Sequence, residues 1–414
     1  MQSTVSEADG YSGPPHVIII GAGASGLSIG QGLKKNGISF TIFDKEEATG
    51  RVLWASTFVP DLLPQSIIDK LCTAEFDYPL AGPTGAIHGY VCVRNAVTGE
   101  VLKKIPTPGG RRCSRRRLRQ VLREGLDVQY NKTLTSISYP SSGVIAHFSD
   151  GTAASGSLVI GADGGQSRVR RLLLGDKAEP TPLPMTMNNF NVQYTAEQAL
   201  FIRSHLDRFT DYGVHPKGMF FLMAILSVPD PEDPSTWVFQ LLTSWPDRLR
   251  TLKEEENTSE GRLKILRELT ADFSEPRKSA IQWVKEGTHI PRDRFAIWSP
   301  VPWNHHEGRV TLAGDAAHAM TYHRGQGLNN CFNDAANLVA AIVKVRDGLL
   351  GMEEAMQTYV EEVVDRGVAE VELSRRQTMA VHDWGMFMES PLMKKGVGIA
   401  PVRPPVGYVV EMKA

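Results

Sequence analysis

A glycine-rich loop near the start of the chain stands between a strand-like run and a helix-like run, and this order constrains the fold more than any other feature. His16–Ile20 is a continuous apolar and mostly β-branched run, as expected of a buried parallel strand. Ser25–Lys35 has apolar residues at helical spacing, and Ser39–Phe43 is a second short apolar run. The three segments predict a β-α-β unit and therefore an α/β fold.

The loop itself has glycines at the positions where a dinucleotide-binding loop requires them. Gly21 allows a tight turn, Gly23 lets the backbone approach a pyrophosphate, and Gly26 lets the helix and the strand pack closely. The free amides at the start of the helix, among them those of Ala24 and Ser25, then meet the phosphates. The spacing predicts a bound dinucleotide but does not distinguish NAD from FAD.

An acidic residue ends the second predicted strand. Asp44, with Lys45 beside it, lies where an acidic side chain would accept hydrogen bonds from the adenosine ribose hydroxyls. A carboxylate at this position would repel a 2′-phosphate, so this site is not expected to hold NADP. We therefore count Asp44 and Lys45 among the predicted cofactor-binding residues.

Two further strand-like runs also end in a glycine and an aspartate. Leu158–Ile160 leads directly into Gly161-Ala162-Asp163-Gly164. Arg309–Leu312 leads into Gly314-Asp315-Ala316-Ala317-His318. His318 is either a satisfied core histidine or a group close to the cofactor, and both interpretations stay open.

Two more segments accompany these motifs. Gly325-Gln326-Gly327-Leu328-Asn329 opens a long helix that is predicted over Gly325–Val345, within which Asp334 is interpreted as structural. Ser114–Glu124 is predicted to be a basic amphipathic helix that begins with Ser114-Arg115. Its arginines are either a solvated face or an attraction for cofactor phosphates.

The glycine loop, the arginine segment and the two glycine–aspartate motifs, in this order, resemble those of group A FAD-dependent monooxygenases, the family typified by para-hydroxybenzoate hydroxylase. The resemblance extends from His16 to about Val345, and His323–Asn330 is similar to fungal members that act in secondary metabolism. It implies FAD as the cofactor and NADPH or NADH as a transient co-substrate. It also implies that C4a-hydroperoxyflavin, formed with O2, hydroxylates or epoxidises an aromatic, indole-alkaloid or polyketide-type small molecule.

The resemblance assigns roles to individual residues as well. Asp315 is expected to bond the ribityl chain of FAD, Asp163 to lie near the pyrophosphate and nicotinamide paths, and Arg115 to reach the ribityl or phosphate groups. The amides that open the long helix are expected to face the N1–C2=O edge of the flavin, where a helix N-terminus stabilises negative charge. The other cofactor-binding residues implied are Gly314, Gly325, Gly327, Leu328, Asn329 and, in a mobile-flavin loop, Arg51.

The stretch after His318 departs from the family pattern. Members of the family often carry prolines here, whereas this chain has Ala319 and Tyr322 at the corresponding positions. We predict that Tyr322, His323 or Arg324 contacts the substrate or the hydroperoxide and takes part in catalysis. The alternative is a loop in which only the turn chemistry has changed.

A second region, from about residue 184 to 295, predicts a mainly antiparallel sheet that binds the substrate. Gly218–Val228 and Thr236–Thr243 are strand-like runs that are rich in Phe, Met, Leu and Val. Because side chains alternate along a strand, the substrate meets either the odd-numbered residues of Phe221–Ile225 or the even-numbered residues of Phe220–Ala224. This composition favours an apolar substrate.

The fold class is therefore α/β (α+β), with a Rossmann-like FAD-binding domain, an interleaved substrate domain and C-terminal helices. The predicted division is a disordered tail over 1–14, an FAD-binding domain over 15–75, 100–183 and 296–350, a substrate domain over 76–99 and 184–295, and C-terminal helices and tail over 351–414.

Composition excludes several classes of partner. The net charge of −1 and the pI of about 6.8 provide no field that would attract nucleic acid or an anionic membrane. The four cysteines lie far apart, which argues against a metal centre or a disulfide framework. No signal peptide or membrane-spanning run is present. We expect a cytosolic monomer or homodimer that binds a small apolar substrate and O2.

Three alternatives on the same fold remain open at this point. A flavin halogenase would carry a W-x-W-x-I-P motif, which this sequence lacks. A flavin oxidase or dehydrogenase would differ by leaving no oxygen atom in the product. A binding protein without flavin would have no use for Asp44, Asp163 and Asp315.

Overall fold

The predicted β-α-β unit lies at the centre of a parallel sheet. The structure, a computed structural model, describes residues 15–46, 52–55, 61–75, 90–106, 111–206, 210–293 and 295–395, so both predicted tails, 1–14 and 396–414, lie outside the described residues. The strands of this sheet are β1 (His16–Ile20), β2 (Ser39–Phe43), β7 (Val128–Gln129), β11 (Leu158–Gly161) and β18 (Val310–Leu312). All neighbours run parallel, in the order β18-β11-β1-β2-β7.

Helix α1 (Ala24–Lys35) joins β1 to β2 and buries Leu27, Ile29 and Leu33 against the sheet. Ile18 and Ile19 in β1 are fully buried, as a strand covered on both faces requires. The Rossmann-like part of the fold is thus confirmed.

The second sheet has six strands in the order β13-β16-β15-β14-β4-β5. They are β4 (Tyr90–Asn95), β5 (Val101–Pro106), β13 (Met185–Gln193), β14 (Thr210–Val214), β15 (Phe220–Ser227) and β16 (Val238–Pro246). Neighbours are antiparallel except for β4 and β14, which run parallel. This is the mainly antiparallel sheet that the sequence predicts.

Strand β5 departs from the predicted domain division. The prediction assigns residues from 100 onward to the FAD-binding domain. In the structure β5 pairs with β4 as a hairpin, with Val91 opposite Ile105. The side chain of Asn95 accepts hydrogen bonds from the amides of Val97 and Thr98 and so fixes the turn. Local turn chemistry therefore keeps β5 in the six-stranded sheet.

The two faces of the six-stranded sheet have different neighbours. Phe221, Met223 and Ile225 pack into an apolar cluster with residues of the helices α5 (Ala196–His205), α6 (Ser259–Leu269) and α7 (Arg277–Gln282). Phe220 and Leu222 belong to a separate cluster that includes Tyr322 and residues of the C-terminal helices. The even-numbered set therefore faces Tyr322 and the C-terminal helices.

Long helices close the structure. Helix α9 (Gly327–Arg346) follows the glycine–aspartate motif at Gly314-Asp315, here called the G-D motif, and α10 (Met352–Val381) is a single 30-residue helix. The other helices are α2 (Gln65–Ile68), α3 (Arg115–Arg123), α4 (Arg168–Leu174), α8 (Asp315–His318), α11 (Trp384–Met388) and α12 (Pro391–Lys395). The other strands are β3 (Val52–Ala55), β6 (Arg111–Ser114), β8 (Leu134–Ser138), β9 (Val144–Phe148), β10 (Ala153–Gly156), β12 (Thr181–Pro182) and β17 (Ala296–Ile297).

Candidate functional site

The three motifs meet at one edge of the parallel sheet. Ile20 at the end of β1 pairs in register with Gly161 at the end of β11, and Gly161 pairs with Leu312 at the end of β18. The loops that follow these residues therefore leave the sheet side by side at the carboxyl ends of the strands, where ligands bind in open α/β sheets.

Two glycines of the first loop are required by close backbone contacts, and a third leaves room for a ligand. A Cβ at Gly21, which has φ of +111°, would lie 2.3 Å from the carbonyl oxygen of Ala162, and a Cβ at Gly26 would lie 1.9 Å from that of Gly21. Both glycines are therefore required by the fold itself. A Cβ at Gly23 would have only the Ala162 oxygen within reach, at 4.0 Å. The protein leaves open space at Gly23, as approach of a pyrophosphate requires.

The start of α1 is free to bind an anion. Gly23 precedes the first turn, with Ala24 and Ser25 in it, and no side chain caps it. Asp44 holds the loop from beside it, since its carboxylate accepts hydrogen bonds from the amides of Ala22 at 2.6 Å and Glu46 at 3.0 Å. Lys45 is exposed.

Asp163 precedes helix α4, and its side chain binds the first amides of that helix. Its carboxylate accepts hydrogen bonds from the Ser167 hydroxyl at 2.5 Å and from the amides of Arg168 at 2.6 Å and Val169 at 3.2 Å. Burial raises the pKa of Asp163, although these hydrogen bonds oppose the shift. Asp163 thus fixes the loop after β11, and its contact with a cofactor stays a prediction.

Arg170 joins the second motif to the third. The fully buried guanidinium donates to the carbonyl oxygens of Gly165 at 2.6 Å and Ala316 at 3.0 Å, and it lies 4.5 Å from the ring centre of Trp298. Arg170 therefore sets the distance between the loop that contains Asp163 and the loop that contains Asp315.

The side of the G-D turn that faces the core carries a buried cluster of charged side chains centred on Asp334. Asp334 accepts hydrogen bonds from the amide of Gly314 at 2.5 Å, from Nε2 of His318 at 2.8 Å and from Arg366 at 2.5 Å. Burial alone would raise the pKa of Asp334, but the charges of His318 and Arg366 lower it to about 2. Burial lowers the pKa of His318, but the pairing with Asp334 outweighs burial, so the pKa is raised. His318 is therefore a core residue, and Asp334 is structural.

The other side of the turn is open. The side chain of Asp315 is exposed, and no hydrogen-bond donor among the described residues reaches its carboxylate. The surrounding protein nevertheless raises its pKa by removing bulk water, as expected in a groove, while the charges of His318 and Arg115 lower it. Arg115 is half-buried, and its guanidinium meets no hydrogen-bond acceptor within the part of the chain that the structure describes. Asp315 and Arg115 thus present opposite charges to one groove.

The start of α9 resembles the start of α1. Gly325 has a left-handed φ of +65°, and a Cβ at Gly327 would meet no atom within 4 Å. No side chain caps the amides of the first turn, to which Leu328 and Asn329 belong. A second helix N-terminus therefore points into open space.

These features fit FAD. The space at Gly23 and the first turn of α1 would hold the pyrophosphate, Asp315 and Arg115 the ribityl chain, and the first turn of α9 the N1–C2=O edge of the flavin. Arg51 lies outside the described residues. Each of these contacts remains a prediction, as for the other predicted cofactor residues.

Comparisons with known proteins identify the family. A family model described as FAD binding domain matches residues 115–374, and one described as NAD(P)-binding Rossmann-like domain matches residues 19–70. The chain is 35% identical over 399 residues to the FAD-dependent monooxygenase phnB of Penicillium herquei, which covers 92% of this chain and 94% of the relative. It belongs to the FAD-dependent monooxygenases.

Two further similarities agree with this assignment. The monooxygenase is 32% identical to the FAD-dependent monooxygenase cctM of Talaromyces islandicus, over 92% of this chain and 96% of the relative. Its fold matches the crystal structure of Klebsiella pneumoniae HpxO complexed with FAD and uric acid, with a TM-score of 0.71, 21% identity and 93% of each chain covered. The resemblance to fungal monooxygenases and the FAD cofactor are confirmed.

The predicted catalytic segment lies between the two parts of the monooxygenase. Arg324 forms an ion pair with Glu370 of α10 at 2.7 Å, and the buried His323 bonds Thr378 of the same helix at 2.8 Å. Tyr322 points to the six-stranded sheet, where its hydroxyl lies 3.1 Å from that of Ser244. A catalytic role for Tyr322, His323 or Arg324 stays a prediction.

The basic run at α3 is not simply a solvated face. The buried Arg112 donates to the carbonyl oxygen of Ile225 at 2.5 Å and to Oε1 of Gln240 at 2.6 Å, and so ties β6, the strand that leads into α3, to the six-stranded sheet. Arg119 is also buried and lies 3.7 Å from the carboxylate of Asp44. These contacts carry no signal in the local sequence, because their partners are remote along the chain.

The helices that the structure describes can be compared with the length and apolar character of a membrane-spanning helix. None of them combines the length and the apolar character that crossing a bilayer requires.

Proposed function

We propose that this monooxygenase uses NADPH or NADH and O2 to hydroxylate or epoxidise an aromatic, indole-alkaloid or polyketide-type small molecule. The substrate lies between the even-numbered face of β15 and the segment Ala319–Arg324. A cytosolic monomer or homodimer remains the prediction for its location and assembly.

The observation that carries this proposal is the partial exposure of three side chains at the even-numbered face of the six-stranded sheet. Leu222 and Tyr212 stand opposite each other in neighbouring strands and remain only partly buried, although they lie on the face that packs against Tyr322 and the C-terminal helices. Tyr322 is partly buried beside them. Inward-facing side chains that keep contact with solvent indicate a ligand space.

The wall of this space is less apolar than the composition of β15 suggests. The methionine of β15, Met223, and one of its two phenylalanines, Phe221, belong to the opposite face. Leu222 and Phe220 provide an apolar surface, and Tyr212 and Tyr322 add hydroxyl groups. An aromatic substrate with polar substituents fits this surface better than a purely apolar one.

The protein's part in the reaction is to hold and to orient. FAD, when bound, supplies the hydride acceptance and the O2 activation. The first turns of α1 and α9 would neutralise its phosphate charge and the negative charge that develops on the reduced ring. Asp315 and Arg115 would fix the chain between these two ends.

The test is product analysis on the purified, flavin-loaded protein. NADPH oxidation is measured against a panel of aromatic, indole and polyketide compounds under ¹⁸O₂, and products are analysed by mass. We expect substrate-stimulated NADPH oxidation with one ¹⁸O atom in the product. Stimulated oxidation without oxygen incorporation would mean an oxidase or dehydrogenase and would overturn the proposal.

A matched pair of variants tests the location. Leu222→Trp fills the space in front of β15 and is expected to abolish substrate stimulation while FAD stays bound. Leu200→Trp, at an exposed position of α5 behind the sheet, is the control and should leave it unchanged. Equal stimulation in both variants would place the substrate elsewhere.

A further inference from the structure

A buried group of hydroxyls and imidazoles lies directly behind Tyr322. Ser244 projects from β16 on the same face as Phe220, with which it is in register. Its hydroxyl lies 3.1 Å from the Tyr322 hydroxyl and 2.9 Å from Nε2 of His382, the residue that follows α10. Ser244 and His382 are both almost fully buried. The direction of each hydrogen bond in this group follows from its partners.

The tautomer of His382 is fixed by a carbonyl. Nδ1 of His382 lies 2.7 Å from the carbonyl oxygen of Thr378, which can only accept a hydrogen bond. Nδ1 therefore carries the proton. Burial lowers the pKa of His382 to about 4, so the ring is neutral and Nε2 is an acceptor. The hydroxyl of Ser244 must donate to it.

His323 is oriented in the same way. The Thr321 hydroxyl donates to the carbonyl of Ser374, and the Thr378 hydroxyl donates to that of Thr321 at 2.6 Å. The Thr378 oxygen can then only accept from Nδ1 of His323, at 2.8 Å. Nε2 of His323 is left as a second acceptor, 3.5 Å from the hydroxyl oxygen of Ser244.

The direction of the last bond follows. Since Ser244 has one proton and gives it to His382, its oxygen must accept the proton of Tyr322. Burial raises the pKa of Tyr322, so the phenol keeps its proton. The only proton of Tyr322 is thus committed to Ser244, and its oxygen has lone pairs to offer toward the ligand space. Tyr212, beside it, makes no hydrogen bond to any described residue and can donate or accept.

We propose that Tyr322 contacts the substrate as an obligatory hydrogen-bond acceptor, which selects molecules that present an O–H or N–H donor at that position over those that present only an acceptor. Ser244 and His382 are positioning residues that set this polarity. The proposal rests on the proposed function, because it requires that the substrate occupies the space in front of Leu222 and Tyr322.

The experiment uses two aromatic probes of nearly equal shape, 1-naphthol and 1-methoxynaphthalene, titrated into the flavin-loaded protein. Perturbation of the flavin absorbance reports the dissociation constant of each. We expect the wild type to bind 1-naphthol about tenfold more tightly than the ether, as one hydrogen bond allows. In Tyr322→Phe this ratio should fall to about one, since neither probe then finds the acceptor.

Ser244→Ala is the decisive variant. Without Ser244 the proton of Tyr322 is free to donate, so the ether should gain affinity by roughly fivefold to tenfold while 1-naphthol changes little. A structural role for Ser244 would weaken both probes equally. Thr243→Val removes a hydroxyl from the neighbouring residue of β16, which is buried on the other face of the sheet, and should keep the wild-type ratio.

Conservative replacement of His382 provides a further check. His382→Gln retains an acceptor for Ser244 and should preserve the ratio, whereas His382→Leu should lower it. Equal binding of both probes by the wild type, or an unchanged ratio in Ser244→Ala, would overturn the role of Tyr322 alone. Absence of any spectral change with either probe would overturn the proposed substrate space as well.

Discussion

Two aspartates lie on opposite sides of the G-D turn of this monooxygenase, and they differ in burial and in hydrogen bonding. Asp334, behind the turn, is fully buried and receives hydrogen bonds from Gly314, His318 and Arg366. Asp315, in front of it, is exposed in the groove and receives none from the described residues. The same contrast holds for the pKa, which is lowered to about 2 at Asp334 and raised at Asp315.

The difference separates what the fold needs from what the ligand needs. A buried charge stabilises the folded state only together with the partners that the protein supplies. When one partner is lost, the remaining buried charges are uncompensated. A carboxylate that the protein leaves without donors is available to a ligand. The two sides of the turn should therefore respond to substitution in different assays.

The largest effect is expected at Asp334. Asp334→Ala leaves His318 and Arg366 without their shared partner and should reduce the free energy of unfolding by about 3–5 kcal/mol. Urea denaturation of the flavin-free protein measures it. Asp365→Ala, at an exposed position of α10, is the control and should change stability by less than about 0.5 kcal/mol. Equal stability of the two variants would contradict the structural role of Asp334.

Asp315 should show the reverse pattern. Asp315→Ala is expected to weaken FAD binding by about 1.5–3 kcal/mol, or roughly 10- to 150-fold, as for a hydrogen bond to a charged group. The stability of the flavin-free protein should be unchanged or slightly higher, because a desolvated charge is removed. FAD titration followed by flavin fluorescence measures the affinity. Retention of full affinity would exclude Asp315 from the cofactor site.

The glycines of the first loop extend the comparison to the backbone. Gly26→Ala places a Cβ 1.9 Å from the Gly21 carbonyl oxygen, so it should destabilise the flavin-free protein by about 1–3 kcal/mol. Gly23→Ala meets only open space and should leave that stability unchanged, yet weaken FAD binding about tenfold by blocking the pyrophosphate. If Gly23→Ala binds FAD normally, the pyrophosphate does not approach this loop.

The motifs were predictable because each one is local. The strand over His16–Ile20 and the roles of Gly21 and Gly26 follow from residues that are neighbours in the sequence. Which face of β15 the helices cover was not predictable, because alternation gives two equivalent faces and only the packing of α5 to α7 distinguishes them. Ser244 and His382 are 138 residues apart, and neither has a neighbour along the chain that indicates their contact.

The pH dependence of stability should have opposite signs for two sets of histidines. One set is His382 and His323 beside Tyr322, and the other is His318 behind the G-D turn. Burial lowers the pKa of His382 to about 4, with the charge of Arg248 adding to the shift, and burial lowers the pKa of His323 well below its usual value. Between the unfolded value of 6.5 and the folded value the unfolded state binds more protons, so stability is lost as pH falls. Behind the turn the pKa of His318 is raised, and its contribution is lost as pH rises above 6.5.

The pH dependence below pH 6.5 provides the most specific test. His382 should contribute a slope of about 1.4 kcal/mol per pH unit between pH 6.5 and 4, which His382→Gln removes. The measurement is urea denaturation of both proteins at several pH values, because the difference between them cancels the contributions of other histidines. An equal slope in both would mean that His382 titrates normally and is not held neutral. The polarity assigned to Ser244 and Tyr322 would then lose its basis, whereas the front and back of the G-D turn would keep theirs.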